Sequence, residues 1–226
     1  MRFAPPVHTV YNPLNYAWAS HEEYLRRYGD GTKRVVFFGM NPGPWGMVQT
    51  GVPFGEVAAV RDGLGITASV GRPDTEHVKR PVQGFSCPKS EVSGRRLWGL
   101  FLTRFAGAHG FFADHFVANY CPLAFMEESG RNRTPDKLPK AERDRLFAIC
   151  DRAAIQTIEA AEARIVVGIG KFTQRRLEAL RDRFPGHKPT VLGLLHPSPA
   201  NPQANRGWSE MAERTLIDNG VWSAGD

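Results

Sequence analysis

The chain has 226 residues, of which 42% are apolar and 23% are charged. This composition is ordinary for a globular protein with one sizeable core, so we expect a single domain over residues 1–226. The formal net charge of +6 favours a polyanionic partner, although many basic proteins bind no nucleic acid. No apolar run reaches the length of a membrane span, and the N-terminus lacks the apolar stretch of a signal peptide. We therefore expect an intracellular protein, cytoplasmic or nucleoid in a bacterium and nuclear in a eukaryote, that binds no membrane.

The three cysteines are Cys87, Cys121 and Cys150. They are odd in number and show no CxxC spacing, so neither a disulfide framework nor a zinc site is indicated. They are also too few to supply the four thiolates of a usual iron–sulfur cluster. We expect no metal ion and no cofactor.

Short apolar runs alternate with helical patterns along the chain. The patterns predict helices over 16–28, 57–64, 91–105, 141–163 and 171–183, and a closing helix from Trp208. The apolar runs predict strands over 33–40, within 111–120 ending at Asn119, over 164–170 and over 190–195. Residues 1–14 are predicted to form an irregular arm and residues 122–139 a polar loop, and residues 65–94 are poor in any periodic pattern.

Strands that alternate with helices predict a three-layer α/β/α fold with a central, mainly parallel four-stranded sheet. In such sheets, ligands bind beyond the carboxyl ends of the strands. Asn41, Asn119 and His196 lie just after, or at the end of, three of the predicted strands. We therefore expect these three polar side chains to converge in one crevice.

The stretch 39–57, GMNPGPWGMVQTGVPFGEV, follows the first predicted strand and holds five glycines and three prolines. Glycine lets the backbone approach a ligand closely and proline fixes φ, so this loop can be both tight and rigid. It also carries the side-chain amide of Asn41 and two large aromatic rings, Trp45 and Phe54. Such a cradle suits a planar, polar ligand; the alternative is an ordinary connection rich in glycine and proline.

Three segments together resemble one family. They are the stretch 39–57, the segment NYCPLAF over 119–125 and the segment HPSPANPQANRGW over 196–208. All three resemble the motifs of the single-strand-selective monofunctional uracil-DNA glycosylases, within the uracil-DNA glycosylase superfamily. The resemblance implies a monomeric DNA-repair enzyme that hydrolyses the N-glycosidic bond of uracil, and of 5-hydroxymethyluracil, in single- and double-stranded DNA. It also implies an abasic product and no need for a cofactor.

The resemblance implies two catalytic residues. His196 would donate a hydrogen bond to the oxyanion that develops on the leaving base. Asn41 would orient the attacking water. Some related glycosylases carry an acidic residue in the corresponding loop that can act as a general base, but an amide cannot accept the proton. Taken alone, His196 is better interpreted as a histidine whose hydrogen bonds are satisfied by nearby backbone, and it is the surrounding motif that favours catalysis.

The resemblance also implies a base pocket. The Asn119 amide can accept from N3–H and donate to O4 of uracil, a pattern that cytosine reverses. Phe54 would stack on the base, while Met40 and Gly43 would line the side that faces base C5. The alternatives are a strand-end Asn119 that caps backbone and a Phe54 that packs in the core.

The loop after His196 is implied to be a wedge that enters DNA as the target nucleotide flips out. Its predicted DNA-contacting residues are Pro197, Ser198, Pro199, Ala200, Asn201, Pro202, Gln203 and Arg206. Animal members of the family carry a basic residue where this chain has Ala200. The smaller side chain leaves open whether the loop serves double-stranded DNA equally well.

Other interpretations remain open from the sequence. A glycosylase of this fold could prefer another base, such as xanthine or hypoxanthine, and Trp45 marks one difference from animal relatives. A non-catalytic single-strand binder would use the basic surface with aromatic stacking. The basic cluster Arg131, Arg133, Lys137 and Lys140 could contact DNA phosphates or could simply be a solvated loop. A Rossmann nucleotide-binding protein is disfavoured because the first strand is not followed by GxGxxG.

Overall fold

The computed structural model describes residues 1–184, 186 and 188–225 and contains seven strands within them. In chain order they are β1 (Val7–Tyr11), β2 (Val35–Gly39), β3 (His115–Asn119), β4 (Ala124–Glu127), β5 (Asn132–Arg133), β6 (Ile165–Ile169) and β7 (Thr190–Leu194).

Eight α-helices accompany the strands over the same described residues. They are α1 (Pro13–Tyr16), α2 (Trp18–Tyr28), α3 (Met47–Thr50), α4 (Val92–Arg104), α5 (Ala108–Phe112), α6 (Lys140–Ala160), α7 (Lys171–Leu180) and α8 (Trp208–Asp218). The helix predicted over 57–64 is a π-helical turn, Ala59–Gly63, and the end of the one predicted over 171–183 is a 3₁₀ turn, Arg181–Arg183. None of the described helices is long and apolar enough to cross a membrane.

The central sheet is the predicted four-stranded parallel one, with the order β3-β2-β6-β7. Strand β2 is buried along its whole length. Because alternate residues of a strand face opposite sides, complete burial of β2 means that both faces of the sheet are covered. The mixed α/β fold class is therefore confirmed, and the carboxyl ends of its strands lie along one edge.

Two predictions of irregular structure were wrong. The predicted arm over 1–14 contains β1, and the predicted loop over 122–139 contains β4 and β5, which together form an antiparallel sheet of order β1-β4-β5. The pairing joins Tyr11 to Ala124 and Phe125 to Arg133. Strand β5 has only two residues, which is too short to show a periodic pattern. Strand β1 is stabilised by pairing with β4, which lies more than 100 residues further along the chain, so local sequence alone does not indicate it.

The end of β3 is held in place by a buried network behind it. Tyr120, which follows Asn119, donates its hydroxyl to Asp151 on α6 at 2.7 Å, and the same carboxylate accepts from Arg176 on α7 at 2.6 Å. The Tyr120 backbone N–H also donates to the Gly39 carbonyl at 2.8 Å. The ends of β2 and β3 are thereby fixed next to each other.

Candidate active site

A cavity of about 350 Å³ lies at the carboxyl ends of β2 and β3 and beside the segment that follows β7. It is lined by Met40, Asn41, Gly43, Phe54, Glu91, Ser93, Asn119, Asn132, Thr134, His196 and Ser198. The structure thus brings together all six residues predicted for catalysis and base binding, with one residue of the predicted wedge loop.

The close approach of the two strand ends depends on Gly39. Gly39 is the register partner of Asn119. A Cβ built on Gly39 would overlap Asn119 Oδ1 and would lie 2.6 Å from Phe54 Cε2. The absence of a side chain at residue 39 therefore lets an amide and an aromatic ring share one wall of the cavity.

Phe54 occupies a strained backbone conformation at this wall. Its φ is 52°, in the left-handed region that non-glycine residues rarely adopt. The Thr50 hydroxyl donates to the Gly55 carbonyl at 2.9 Å and so ties the turn together. Phe54 is 8% exposed, and its ring centroid lies 6.1 Å from that of His196. Phe54 therefore packs in the hydrophobic core and also forms part of the cavity wall.

The tautomer of His196 is set by the backbone. The Ser198 N–H donates to His196 Nδ1 at 3.1 Å, so the neutral ring carries its proton on Nε2. Burial lowers the pKa of His196 to about 4. The imidazole is therefore neutral at physiological pH and offers one N–H donor.

Asn41 uses its amide nitrogen against backbone. Its Nδ2 donates to the Leu123 carbonyl at 3.3 Å, with a longer contact to the Pro42 carbonyl at 3.5 Å. Among the described residues, no donor reaches its Oδ1. The amide is thus oriented by protein on one side and keeps a free acceptor.

Asn119 is less firmly bonded. Its Nδ2 contacts Met47 Sδ at 3.2 Å, and a thioether is only a weak acceptor. Both ends of this amide can therefore exchange their present surroundings for a ligand at little cost.

A family model for the Uracil DNA glycosylase superfamily matches residues 26–216, which include every one of these cavity residues. The chain belongs to the uracil-DNA glycosylase superfamily.

Closer relatives narrow the placement within the superfamily. A Rattus norvegicus protein named single-strand selective monofunctional uracil-DNA glycosylase is 50% identical over 223 residues, covering 98% of this chain and 79% of the relative. Proteins of the same name from Mus musculus and Bos taurus are each 48% identical, covering 98% of this chain and 79% and 81% of their own. The family suggested by the three sequence motifs is confirmed.

A solved structure supports the fold. The crystal structure of wild-type Pedobacter heparinus SMUG2 aligns with a TM-score of 0.67, covering 97% of this chain and 88% of that one, at 17% identity. At that identity the likeness concerns the fold alone.

Four cavity residues of this superfamily member were not predicted from the sequence. Glu91 and Ser93 come from the start of α4, and Asn132 and Thr134 come from β5 and the residue after it. Asn132 Nδ2 donates to the Pro42 carbonyl at 3.0 Å, while its Oδ1 is buried without a partner among the described residues. Asn132 was not predicted to lie in the cavity because the antiparallel sheet that places it there was not predicted.

The predicted wedge loop is folded by its own short turns. The Ala200 N–H donates to Ser198 Oγ at 3.2 Å, and the Gln203 N–H donates to Asn201 Oδ1 at 3.0 Å. Its exposed members are Pro199, Ala200, Pro202, Gln203 and Arg206. Of the predicted wedge residues only Ser198 lines the cavity, so the loop forms the rim and not the floor.

Arg96 on α4 braces this loop from outside. Its guanidinium donates to the Pro197 carbonyl and to Asn205 Oδ1, both at 2.9 Å. Asn205 in turn donates to the Pro199 carbonyl at 2.9 Å. No local sequence pattern indicates these contacts, because they join residues 101 and 109 positions apart.

The predicted basic cluster is divided by the fold. Arg133 is paired with Glu127 at 2.9 Å and Lys140 with Asp144 at 2.7 Å. Arg131 and Lys137 are exposed.

The described residues contain no group of three or more His, Cys, Asp or Glu that could hold a metal ion. The three cysteines are free and buried.

Proposed function

We propose that the cavity receives a uracil base flipped out of DNA and that the enzyme hydrolyses its N-glycosidic bond, leaving an abasic site. Membership of the family and 50% identity to a single-strand selective monofunctional uracil-DNA glycosylase support uracil-DNA glycosylase activity in DNA repair. The observation that carries the assignment of roles is the convergence of Asn41, Asn119 and His196 on one cavity walled by Phe54.

Base recognition is assigned to Asn119 and Phe54. A pyrimidine ring stacked on the Phe54 wall would present its N3–O4 edge to the Asn119 amide. An amide that accepts from N3–H and donates to O4 fits uracil, whereas cytosine would leave both polar atoms unpaired. This choice rests on buried groups, where an unpaired donor or acceptor is costly.

Departure of the base is assigned to His196. Breaking the C1′–N1 bond leaves negative charge on the uracil ring, partly on O2. The neutral imidazole holds its only N–H on Nε2, and a fixed donor aimed at a developing oxyanion stabilises the transition state without reorganisation. Its low pKa keeps this donor in one protonation state across the physiological range.

Attack of water at C1′ is assigned to Asn41. The free Oδ1 can accept a hydrogen bond from the water while Nδ2 stays on the Leu123 carbonyl. An amide cannot remove the proton, so bond breaking must run ahead of attack, and the proton passes to the departing base or to solvent. No lysine is among the residues that line the cavity, so the reaction is proposed to be hydrolysis without a Schiff base.

The loop over 197–206, which carries the exposed Arg206, is proposed to enter the DNA helix where the nucleotide leaves it. We propose that the enzyme acts as a monomer, inside the cell, on uracil and 5-hydroxymethyluracil in single- and double-stranded DNA. The net charge of +6 favours association with the phosphate backbone.

A single-turnover assay tests the proposal. Matched single- and double-stranded oligonucleotides carry one uracil, and products are resolved with and without alkali. We expect strand cleavage only after alkali, which reports an abasic site. No product from either substrate would refute uracil excision, and cleavage without alkali would refute a monofunctional reaction.

A further inference from the structure

Two surface turns pack against each other beside the cavity. The first spans residues 77–80 and is closed by a bridge between its two end residues. The second joins β4 to β5 over residues 127–131. Arg80 Nε donates to the Gly130 carbonyl at 2.7 Å, and a Cβ on Gly130 would lie 3.1 Å from Lys79 Cβ. The two turns therefore form one continuous surface.

The backbone of the first turn is held at both ends. Tyr11, which is fully buried on β1, accepts from the His77 N–H and donates to the Arg80 carbonyl, both at 2.7 Å. The His77 ring accepts from the Lys79 N–H at 3.1 Å and donates to the Glu128 carbonyl at 3.2 Å. The side chains at the tip of the turn are thus presented from a fixed backbone.

The first turn is also fixed relative to the loop that follows β2. Gln49, fully buried in that loop, donates to the Pro44 carbonyl at 2.9 Å and to the Pro81 carbonyl at 3.0 Å. The guanidinium carbon of Arg80 lies 5.0 Å from the centroid of the Trp45 ring, within the range of a cation–π interaction. These contacts fix the distance between the turn and the cavity.

The second turn leads directly into the cavity wall. Arg131 precedes Asn132, which lines the cavity and donates to the Pro42 carbonyl at 3.0 Å, just beyond β2. His196 and the wedge loop follow β7, an edge strand of the central sheet that lies two strands away from β2. The two turns and the wedge loop therefore border different sides of the cavity.

The surface of the two turns carries positive charge that the protein does not neutralise. Lys79 and Arg131 are exposed, and neither has an ion-pair partner in the described part of the chain. The neighbouring carboxylates of Glu76 and Glu127 are each held by another arginine, at 2.7 and 2.9 Å. Glu128 is exposed but is outnumbered by the cations. The surface is therefore suited to a polyanion.

We propose that Lys79, Arg80 and Arg131, here called the basic rim, bind the phosphate backbone of the damaged strand on the side of the cavity away from the wedge loop. A strand whose target nucleotide enters the cavity continues from the mouth in two directions. The wedge loop meets one flank and the basic rim meets the other. Because its backbone is already fixed, the rim loses little conformational entropy on binding.

The basic rim needs no base pair, whereas a wedge needs a helix to enter. We therefore expect the rim to contribute to binding of single-stranded and double-stranded DNA alike. This inference rests on the proposed function, because it takes uracil-containing DNA as the ligand.

The test measures affinity against salt concentration. Fluorescence anisotropy reports binding to a single-stranded oligonucleotide that carries 2′-fluoro-2′-deoxyuridine, whose fluorine slows cleavage of the glycosidic bond. Each phosphate contact on a single strand contributes about 0.7 to the slope of log affinity against log salt. We expect Lys79→Ala to lower the slope by about 0.7, which is roughly a fivefold loss of affinity at 0.1 M salt, and the double variant with Arg131→Ala to lower it by about 1.4.

Arg164→Ala is the matched control, because it removes the same charge elsewhere. Arg164 is exposed and immediately precedes β6, so it lies at the amino edge of the central sheet, opposite the cavity. This variant should keep the wild-type slope. Lys79→Arg, which retains the charge, should keep it too, and circular dichroism checks that each variant is folded.

A wild-type slope in the folded double variant would overturn the basic rim. An equal fall in Arg164→Ala would also overturn it, since the effect would then come from net charge and not from a contact. Uracil excision is measured separately on the unmodified oligonucleotide. Failure of the wild-type protein there would refute the proposed function without changing the salt slopes, so the two failures are distinguishable.

Discussion

Gly39 and Asn119 are paired at the ends of two neighbouring parallel strands, and a Cβ on Gly39 would overlap Asn119 Oδ1. The backbone at Gly39 does not have a positive φ, so alanine is excluded there by space and not by conformation. The added methyl group would displace Asn119 or Phe54 from the wall of the cavity.

We therefore expect Gly39→Ala to lower the single-turnover rate on uracil by roughly 10²-fold or more, through loss of base recognition. The overall fold should survive, which circular dichroism can check. Gly99→Ala is the matched control, because a Cβ at Gly99, on α4, meets nothing within 4 Å. Normal activity of Gly39→Ala would show that the pair does not shape the base site.

Asn41 is expected to act on the chemical step. Asn41→Ala removes the free Oδ1 that would orient the water, while the stacking wall and Asn119 remain. Turnover should fall by roughly 10²–10³ with base binding largely retained. The measurement is single-turnover rate against enzyme concentration, which separates the rate at saturation from affinity. An unchanged rate at saturation would remove Asn41 from the mechanism.

His196 should contribute no titration in the neutral range. Its pKa is lowered to about 4, so the imidazole stays neutral as pH falls through 6.5, its ordinary value. We expect the single-turnover rate on uracil to show no inflection near pH 6.5 that depends on His196. The profile is best measured in Glu91→Gln, where the other titratable group of the cavity is removed. An inflection near 6.5 that His196→Asn abolishes would contradict the assignment.

Arg96 offers a test of the wedge loop. Arg96→Ala would remove both guanidinium contacts, to the Pro197 carbonyl and to Asn205 Oδ1. Ordering a less rigid loop in DNA costs more conformational entropy. We therefore expect the single-turnover rate to fall roughly three- to tenfold on double-stranded substrate and by less on single strands. Arg95→Ala is the control, since the only hydrogen bond of the Arg95 guanidinium within the described part of the chain goes to Ser90 Oγ. Equal losses on both substrates would separate Arg96 from base flipping.

The sequence predicted those parts of the molecule that have strong local patterns. The strands of the central sheet are short apolar runs, and their parallel order brings Asn41, Asn119 and His196 to one edge. The antiparallel sheet escaped prediction because it joins segments distant in sequence, one of them only two residues long.

Glu91 escaped prediction for a different physical reason. It stands between a segment without pattern and the start of α4, where an acidic residue is usual. Glu91 lies in the cavity because Gly94 packs against Phe54 and because Gly43 leaves space for the carboxyl group. Such tertiary contacts have no periodic signature, so the residue could be recognised only in the folded chain.

The same residue should carry a cost in stability that depends on pH. Glu91 has a pKa raised to about 7 in the folded protein, above the ordinary 4.5 of the unfolded chain. The folded state therefore binds more protons between these values, and the free energy of unfolding falls as pH rises through this window. Below about pH 4.5 both states are protonated and the cost disappears.

We expect Glu91→Gln to raise the free energy of unfolding by about 1 kcal/mol at pH 8, a value reduced for the partial exposure of the side chain, and by little at pH 4.5. Urea unfolding at the two pH values measures both quantities. Glu128→Gln, an exposed carboxylate, is the control and should change neither. An equal effect at both pH values would mean that the gain in stability comes from packing and not from removal of a negative charge at Glu91.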